Sequence, residues 1–208
     1  MELGKKLVVA LAAACLVLAA VSARAAPPKE ASPSVDEICH TLARAAADND
    51  LPEEFFTRLI WQESRFDPKA VSPTGAQGIA QFMPATAAMR GLVNAFEPLQ
   101  ALRESASYLS ELRTTFRGNL GLAAAAYNAG PAAVESWLAR RGTLPFETQA
   151  YVRIVTGYTA EAWIAKPTPL LEASPPEPTG ARCVALAKVL LENVRHRLPL
   201  SSSPAWGP

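Results

Sequence analysis

Proline at the start and glycine at the end of one apolar segment after another is the feature that most restricts this chain. Pro52, Pro84, Pro98 and Pro131 each open a stretch with apolar residues at helical spacing, and Gly91, Gly118 and Gly142 close three of them. Proline suits the first turn of a helix because the N–H it lacks has no partner there, and glycine readily takes the left-handed conformation that ends one. Ser34-Val35-Asp36-Glu37 adds a capping box that starts a helix over residues 34–47. Leu99, Leu102, Ala106, Leu109 and Leu112 keep a helical stripe over 98–117. Asn119 caps an almost wholly apolar stretch at 120–127, which reads as a buried helix. One further helix is expected over 147–165. Strand patterns are nearly absent and no internal repeat is visible, so the expectation is an all-α domain over residues 34–165.

Glu63 stands out against this background. Phe56, Leu59 or Ile60, and Glu63 share one helical face at i, i+3/i+4 and i+7, so the carboxyl continues a core-facing stripe. Asp67-Pro68 predicts a helix end just after Ser64-Arg65, which puts Glu63 in the last turn. Desolvation and the negative helix end both disfavour its ionised form. A carboxyl held neutral near pH 7 is what a general acid requires. The structural alternative is a glutamate paired with Arg65 or Lys69. Asp67 is the only other acid close by in sequence, and beside Pro68 it reads as a turn residue and not as a nucleophile.

The residues beyond Glu63-Ser64 strengthen the case for a site. Ser72-Pro73-Thr74-Gly75 reads as a turn. Gly78-Ile79-Ala80-Gln81 comes next, with Phe82-Met83 behind it. Ala126-Tyr127-Asn128-Ala129-Gly130 and Glu147-Thr148-Gln149-Ala150-Tyr151-Val152 lie further on. In this order the segments resemble the motifs of the soluble lytic transglycosylase (SLT) family, which shares a lysozyme-like fold with goose-type lysozymes. The family pattern is Glu-Ser, Gly-Leu-Met-Gln, Ala-Tyr-Asn-Ala-Gly and a late Glu-Thr-x-x-Tyr-Val. The resemblance covers roughly residues 35–165, and Ala80 stands where the family usually has methionine.

The resemblance implies a peptidoglycan lytic transglycosylase, whose partner is the glycan strand. One glutamic acid protonates the oxygen of the MurNAc–GlcNAc β-1,4 bond. As a carboxylate it then takes the proton of the sugar's own C6 hydroxyl, which closes on C1 as a 1,6-anhydro ring with the N-acetyl group assisting. An intramolecular hydroxyl has a large effective molarity, so no base-held water is needed. By matching position Glu63 is the catalytic residue. Ser72 is expected on the N-acetyl side, Gln81 as an amide for the sugar, and Phe82 and Met83 as apolar wall. Tyr127 and Asn128 are expected to face the acid, with Tyr151 near its carboxyl. Each has a structural alternative: Tyr127 and Phe82 as core, Asn128 as a helix C-cap, Gln81 as a loop hydrogen bonder.

Two rival readings stay open. One is a goose-type lysozyme hydrolase, with water as nucleophile; a two-carboxylate mechanism needs a second acid. The other is a non-enzymatic peptidoglycan-binding domain in a secretion or division complex. No cofactor or metal is expected, since His40 and His196 are the only histidines and there is no Cys-x-x-Cys or His-Glu-x-x-His.

The two ends of the chain have their own signals. Lys5-Lys6, an apolar run to Val21 and Ala23-Arg24-Ala25 read as a signal peptide over 1–25, hence a periplasmic or secreted protein. The run is about 15 residues, short of the roughly 20 of a spanning helix, so no stable membrane span is expected after cleavage. Cleavage changes 20 basic and 19 acidic residues to 17 and 18, a balance that offers nucleic acid no basic surface. Residues 26–33 read as a disordered leader and 166–180, with five prolines, as a linker. Residues 181–208 read as a helix, with Val184, Leu186, Ala187, Leu190, Leu191 and Val194 apolar, followed by a tail. Only Cys39 and Cys183 survive cleavage, and an oxidising compartment predicts a disulfide between them.

Overall fold

The computed structural model describes residues 33–165 and 180–197. The expected signal peptide at 1–25, the leader up to residue 32, the linker over 166–179 and the tail beyond Arg197 lie outside the described residues. Among the described residues there are nine helices and no strand: α1 (Val35–Asp48), α2 (Glu53–Ser64), α3 (Pro84–Met89), α4 (Pro98–Thr115), α5 (Leu120–Ala129), α6 (Pro131–Leu138), α7 (Phe146–Thr156), α8 (Ala160–Ala165) and α9 (Ala181–Arg197). The all-α expectation is met.

The local signals act as their chemistry requires. Ser34 Oγ accepts from Glu37 N, and Asn119 Oδ1 accepts from Leu122 N at 2.9 Å, each satisfying a donor that a helix start leaves unpaired. Helix α5 is buried on every side from Leu120 to Ala126. Its run of alanines lets four helices, α4, α6, α7 and α8, approach it closely. It continues to Ala129, so Tyr127 and Asn128 are helical and Gly130, not Asn128, is the C-cap.

The helix expected over 147–165 is two. Gly157 takes φ +81° and ends α7, and Thr159 Oγ1 accepts from Ala162 N to start α8. The break turns the chain so that Trp163 lies on α5. Trp163 is fully buried, donates from Nε1 to Thr156 Oγ1 at 2.9 Å, and accepts at its carbonyl from Asn119 Nδ2 at 2.7 Å. A continuous helix would carry the indole past this position. The signal is local, a Thr-Gly followed by a capping threonine, but continuing apolar residues mask it.

Helix α9 packs on α1 and α2. Cys39 and Cys183 form a disulfide that joins residues 144 apart in sequence. For a loop of that size the chain-entropy argument allows on the order of 5 kcal/mol. Glu53, buried at the start of α2, accepts from Cys183 N at 3.1 Å. Its side chain therefore satisfies a donor in the first turn of α9.

Gly121 gives a stability prediction. Alanine there gains about 1 kcal/mol in helix propensity. Its Cβ, however, would lie 2.1 Å from Trp163 Cγ, with the indole held by its Nε1–Thr156 hydrogen bond and the backbone of Trp163 by Asn119. Packing outweighs propensity, so Gly121→Ala should lower Tm in a calorimetric scan. A Tm equal to or above wild type would show that the indole can move aside.

Candidate active site

Helix α2 delivers Glu63 in its last turn, but the helix is not ended by proline. Arg65 and Phe66 both take left-handed conformations, φ +54° and +65°. Two consecutive non-glycine residues in that region are strained and need compensation. Phe66 is buried with its ring edge-to-face against Trp61, centroids 5.4 Å apart, and Ser64 Oγ donates to Ile79 O at 2.6 Å. The turn sends the chain back beneath Glu63 as the 70–83 loop.

That loop is held by its own polar groups. Gln77 bridges both Val71 and Phe82. Gly78 packs so closely under Ala95 that a Cβ there would sit 1.9 Å from Ala95 O. Gln81, itself left-handed at φ +50°, donates from Nε2 to Gly78 O at 2.9 Å and Ala70 O at 3.2 Å. Both amide hydrogens are thus occupied, which leaves Oε1 as an acceptor toward the cleft. Ser72 Oγ accepts from Ala76 N and pairs with Thr74 Oγ1, both at 2.9 Å, and Ser72 stands at the cleft rim. Ala80 is fully buried and is not part of the cleft lining. The departure from methionine therefore lies beneath the surface, and the wall above is Phe82 and the half-exposed Met83.

The cleft has a volume of about 990 Å³, room for more than one sugar ring, and Glu63 lines it together with all seven other expected site residues. Tyr151, on α7, donates from its hydroxyl to Glu63 Oε1 at 2.5 Å. Neither Arg65 nor Lys69 pairs with Glu63; among the described residues the ion pairs are Arg58–Glu54 and Arg90–Glu111. The residue as a whole is half-buried, yet desolvation dominates its carboxyl. It pushes the pKa from 4.5 up to about 8, against the Tyr151 hydrogen bond, which pulls down, and with the Glu147 charge, which pushes up. Tyr151 is itself raised well above the usual phenol range by burial first and then by Glu63, so it stays a donor.

Tyr127 is spent on structure. Its hydroxyl donates to Ala80 O at 2.9 Å and lies 2.9 Å from Ser105 Oγ. A phenol has one hydrogen, so with that hydrogen on Ala80 the Ser105 hydroxyl donates to Tyr127. The tyrosine therefore joins α4, α5 and the loop, and lends the cleft its ring. Asn128 Oδ1 accepts from Thr148 Oγ1 at 2.8 Å, which leaves its amide hydrogens for the cleft. Asp67 Oδ1 accepts from Lys69 N at 2.9 Å, the local bond of a turn residue.

Glu147, Ile154 and Tyr108 are among the cleft residues that the sequence does not single out. Glu147 lines the cleft and is exposed, so Asp67 is not the only acid near Glu63 in space. Its signal is present: Glu147 and Tyr151 are i, i+4 on α7 and share a face. Ile154 extends the same helix along the cleft. Tyr108, on α4, packs its ring 5.6 Å from that of Tyr127 and forms another part of the wall. It belongs to no motif, and only packing brings it in.

Known proteins share this chain's sequence pattern and fold. The transglycosylase SLT domain model matches residues 40–150. The soluble lytic murein transglycosylase of Salmonella typhimurium is 33% identical over 138 residues, 56% of this chain and 21% of that protein. The X-ray structure of an inactive glutamate-to-glutamine mutant of lytic transglycosylase Slt from Pseudomonas aeruginosa superposes with a TM-score of 0.53 at 32% identity, over 64% of this chain and 25% of that one. The 70 kDa soluble lytic transglycosylase of Escherichia coli gives a TM-score of 0.52 at 28% identity, over the same shares of the two chains. The chain spans about a fifth of the length of the curated relatives it matches.

The burial of Glu63 predicts a pH-dependent stability. The folded state holds this proton with a pKa of about 8, against 4.5 for the exposed group. The stabilisation is therefore complete below pH 4.5 and lost as pH rises through 8. Glu63→Gln has no such proton, so the wild-type Tm should fall relative to the variant across that window. Tm curves that run parallel over roughly pH 4 to 9 would refute a desolvated carboxyl.

Proposed function

The chain belongs to the transglycosylase SLT domain family, and on that premise we propose that it is a peptidoglycan lytic transglycosylase. The observation that carries the proposal is the Glu63 carboxyl, neutral at pH 7, turned to a sugar-sized cleft and held by Tyr151. Glu63 donates its proton to the MurNAc–GlcNAc glycosidic oxygen as the C1–O bond breaks. The C6 hydroxyl of the same MurNAc attacks C1, and the Glu63 carboxylate takes its proton. The proton gained in the second step replaces the one given in the first, and the product carries a 1,6-anhydro ring. The Tyr151 hydrogen bond stabilises the transient carboxylate without abolishing its basicity. Ser72, Gln81, Phe82, Met83, Tyr127 and Asn128 then bind and orient the glycan, with Gln81 as an acceptor and Asn128 as a donor.

The presence of Glu147 gives the hydrolytic reading a second acid to consider. Glu147 is exposed, and its charge adds only a smaller push to the desolvation that raises the Glu63 pKa. The names of the relatives support the non-hydrolytic reaction, and neither hydrolysis nor a purely binding role is favoured. We place the enzyme outside the cytoplasmic membrane, where its murein substrate lies. Among the described residues no helix is long and apolar enough to cross a membrane. A secretion or division complex that needs a local opening in the wall is the partner class such a domain would serve.

The reaction is tested by the mass of its products. Glu63→Gln should abolish cleavage of purified sacculi with fold and glycan binding retained, since general acid–base help is worth about 10²–10⁴-fold per proton transfer and one residue serves twice. Asp67→Asn should keep most of the activity. Wild-type product should be lighter than the hydrolytic product by one water. Product with a reducing end, lost in Glu147→Gln, would instead establish a two-carboxylate hydrolase.

A further inference from the structure

Arg90 lies at the C-cap of α3, outside every motif and outside the cleft lining. Its side chain is only 13% exposed, an expensive position for a guanidinium without a task. Both its terminal nitrogens bind Glu111 of α4, at 2.9 and 2.8 Å, and one of them reaches Ser107 Oγ at 3.2 Å. The fork is thus fixed by two residues one helical turn apart. Between them in sequence stands Tyr108, whose ring centroid is 4.8 Å from the guanidinium carbon. The Arg90 Nε–H is buried with no hydrogen-bond acceptor among the described residues, so the electron-rich ring face is the compensating interaction on offer. The Tyr108 ring also meets that of Tyr127, tilted by 46° with centroids 5.6 Å apart, and Tyr127 is itself tied to Ala80 O.

We propose that Arg90, locked by Glu111 and Ser107, is a positioning residue that holds the Tyr108 ring as a rigid glycan-facing wall of the cleft. An aromatic ring stacks on the C–H face of a sugar only if its plane is fixed. A lone phenol on a helix surface would rotate about its side-chain bonds. The Arg90 guanidinium lies over one face of the ring and Tyr127 packs against it at a tilt, and together they fix its plane. The same clamp ties the end of α3 to α4, so it also fixes the helix that follows Met83 of the cleft wall. Arginine is suited to this because it can be bidentate to a carboxylate and lie on a ring at once; the single nitrogen of lysine cannot do both.

This inference rests on the proposed function for its substrate, and the test separates the two. Glycan release from purified sacculi is measured for Arg90→Met, Arg90→Lys, Glu111→Gln and Tyr108→Ala, with Tm read for each. Affinity for a peptidoglycan tetrasaccharide is read by calorimetry for the same changes in a Glu63→Gln background. Arg90→Met should raise KM and weaken tetrasaccharide binding about three- to tenfold, with kcat changed by less than about twofold. Arg90→Lys and Glu111→Gln should fall between that variant and wild type. In a Tyr108→Ala background, Arg90→Met should still lower Tm but should weaken binding no further. Arg58→Met, which removes an exposed ion pair of α2, is the control and should leave both readings unchanged. A fall in Tm with KM and affinity unchanged, or equal losses of affinity with and without Tyr108, would overturn the proposal and leave Arg90 a helix tie. Wild-type protein that releases no anhydro product would sink the proposed function alone, since the Tyr108-dependent difference in binding would still be measured.

Discussion

A carboxyl that continues the apolar stripe of a helix loses its hydration and lies at the helix's negative end. Left alone, such a group would be a still weaker acid. In this protein the Tyr151 hydroxyl, arriving from α7, donates to Glu63 Oε1 and draws the balance back to a pKa of about 8. The rest of the structure can be understood as what is needed to keep that pair buried, in contact and open to the cleft on one side. Helix α7 must therefore lie against α2, and the small-residue helix α5 is what both α7 and α4 close upon.

The opposite side of the cleft is built to resist movement. Two left-handed residues after Ser64 reverse the chain, and the 70–83 loop is then tied by Ser64 to Ile79, by Gln81 to Ala70 and Gly78, and by Tyr127 to Ala80. Most of these partners are backbone carbonyls. Polar side chains of the motifs thus spend much of their hydrogen-bonding capacity on the protein, and only what is left over is offered to a substrate. This explains why the motif residues need to be specific types even where they touch no sugar.

At the far end of α2, Glu53 performs a different task with the same functional group. It lies at the start of α2 and accepts from the first turn of α9 beside the Cys39–Cys183 disulfide. One helix therefore carries a carboxyl at each end, one bonded to a backbone N–H and the other to a phenol. The covalent tie and the Glu53 bond brace the amino end of α2, while its carboxy end carries the reacting group.

The sequence by itself determined whatever depends on neighbours along the chain. The capping of α1 and α5, the proline starts, the glycine that separates α4 from α5 and the place of Glu63 in a last turn on an apolar face are local, because caps and helical periodicity act within a few residues. The four motifs likewise marked the loop and helices that bear the site. Only the tertiary structure decided who faces whom. Tyr151 reaches Glu63 across 88 residues, Glu147 enters the cleft as its charged neighbour, and Tyr108 with Arg90 belongs to no motif at all. The break at Gly157 also depends on packing, since Trp163 must lie in the notch above Gly121. Such choices are made by close packing and by the desolvation of polar groups between segments, and neither is written in the spacing of residues along one helix.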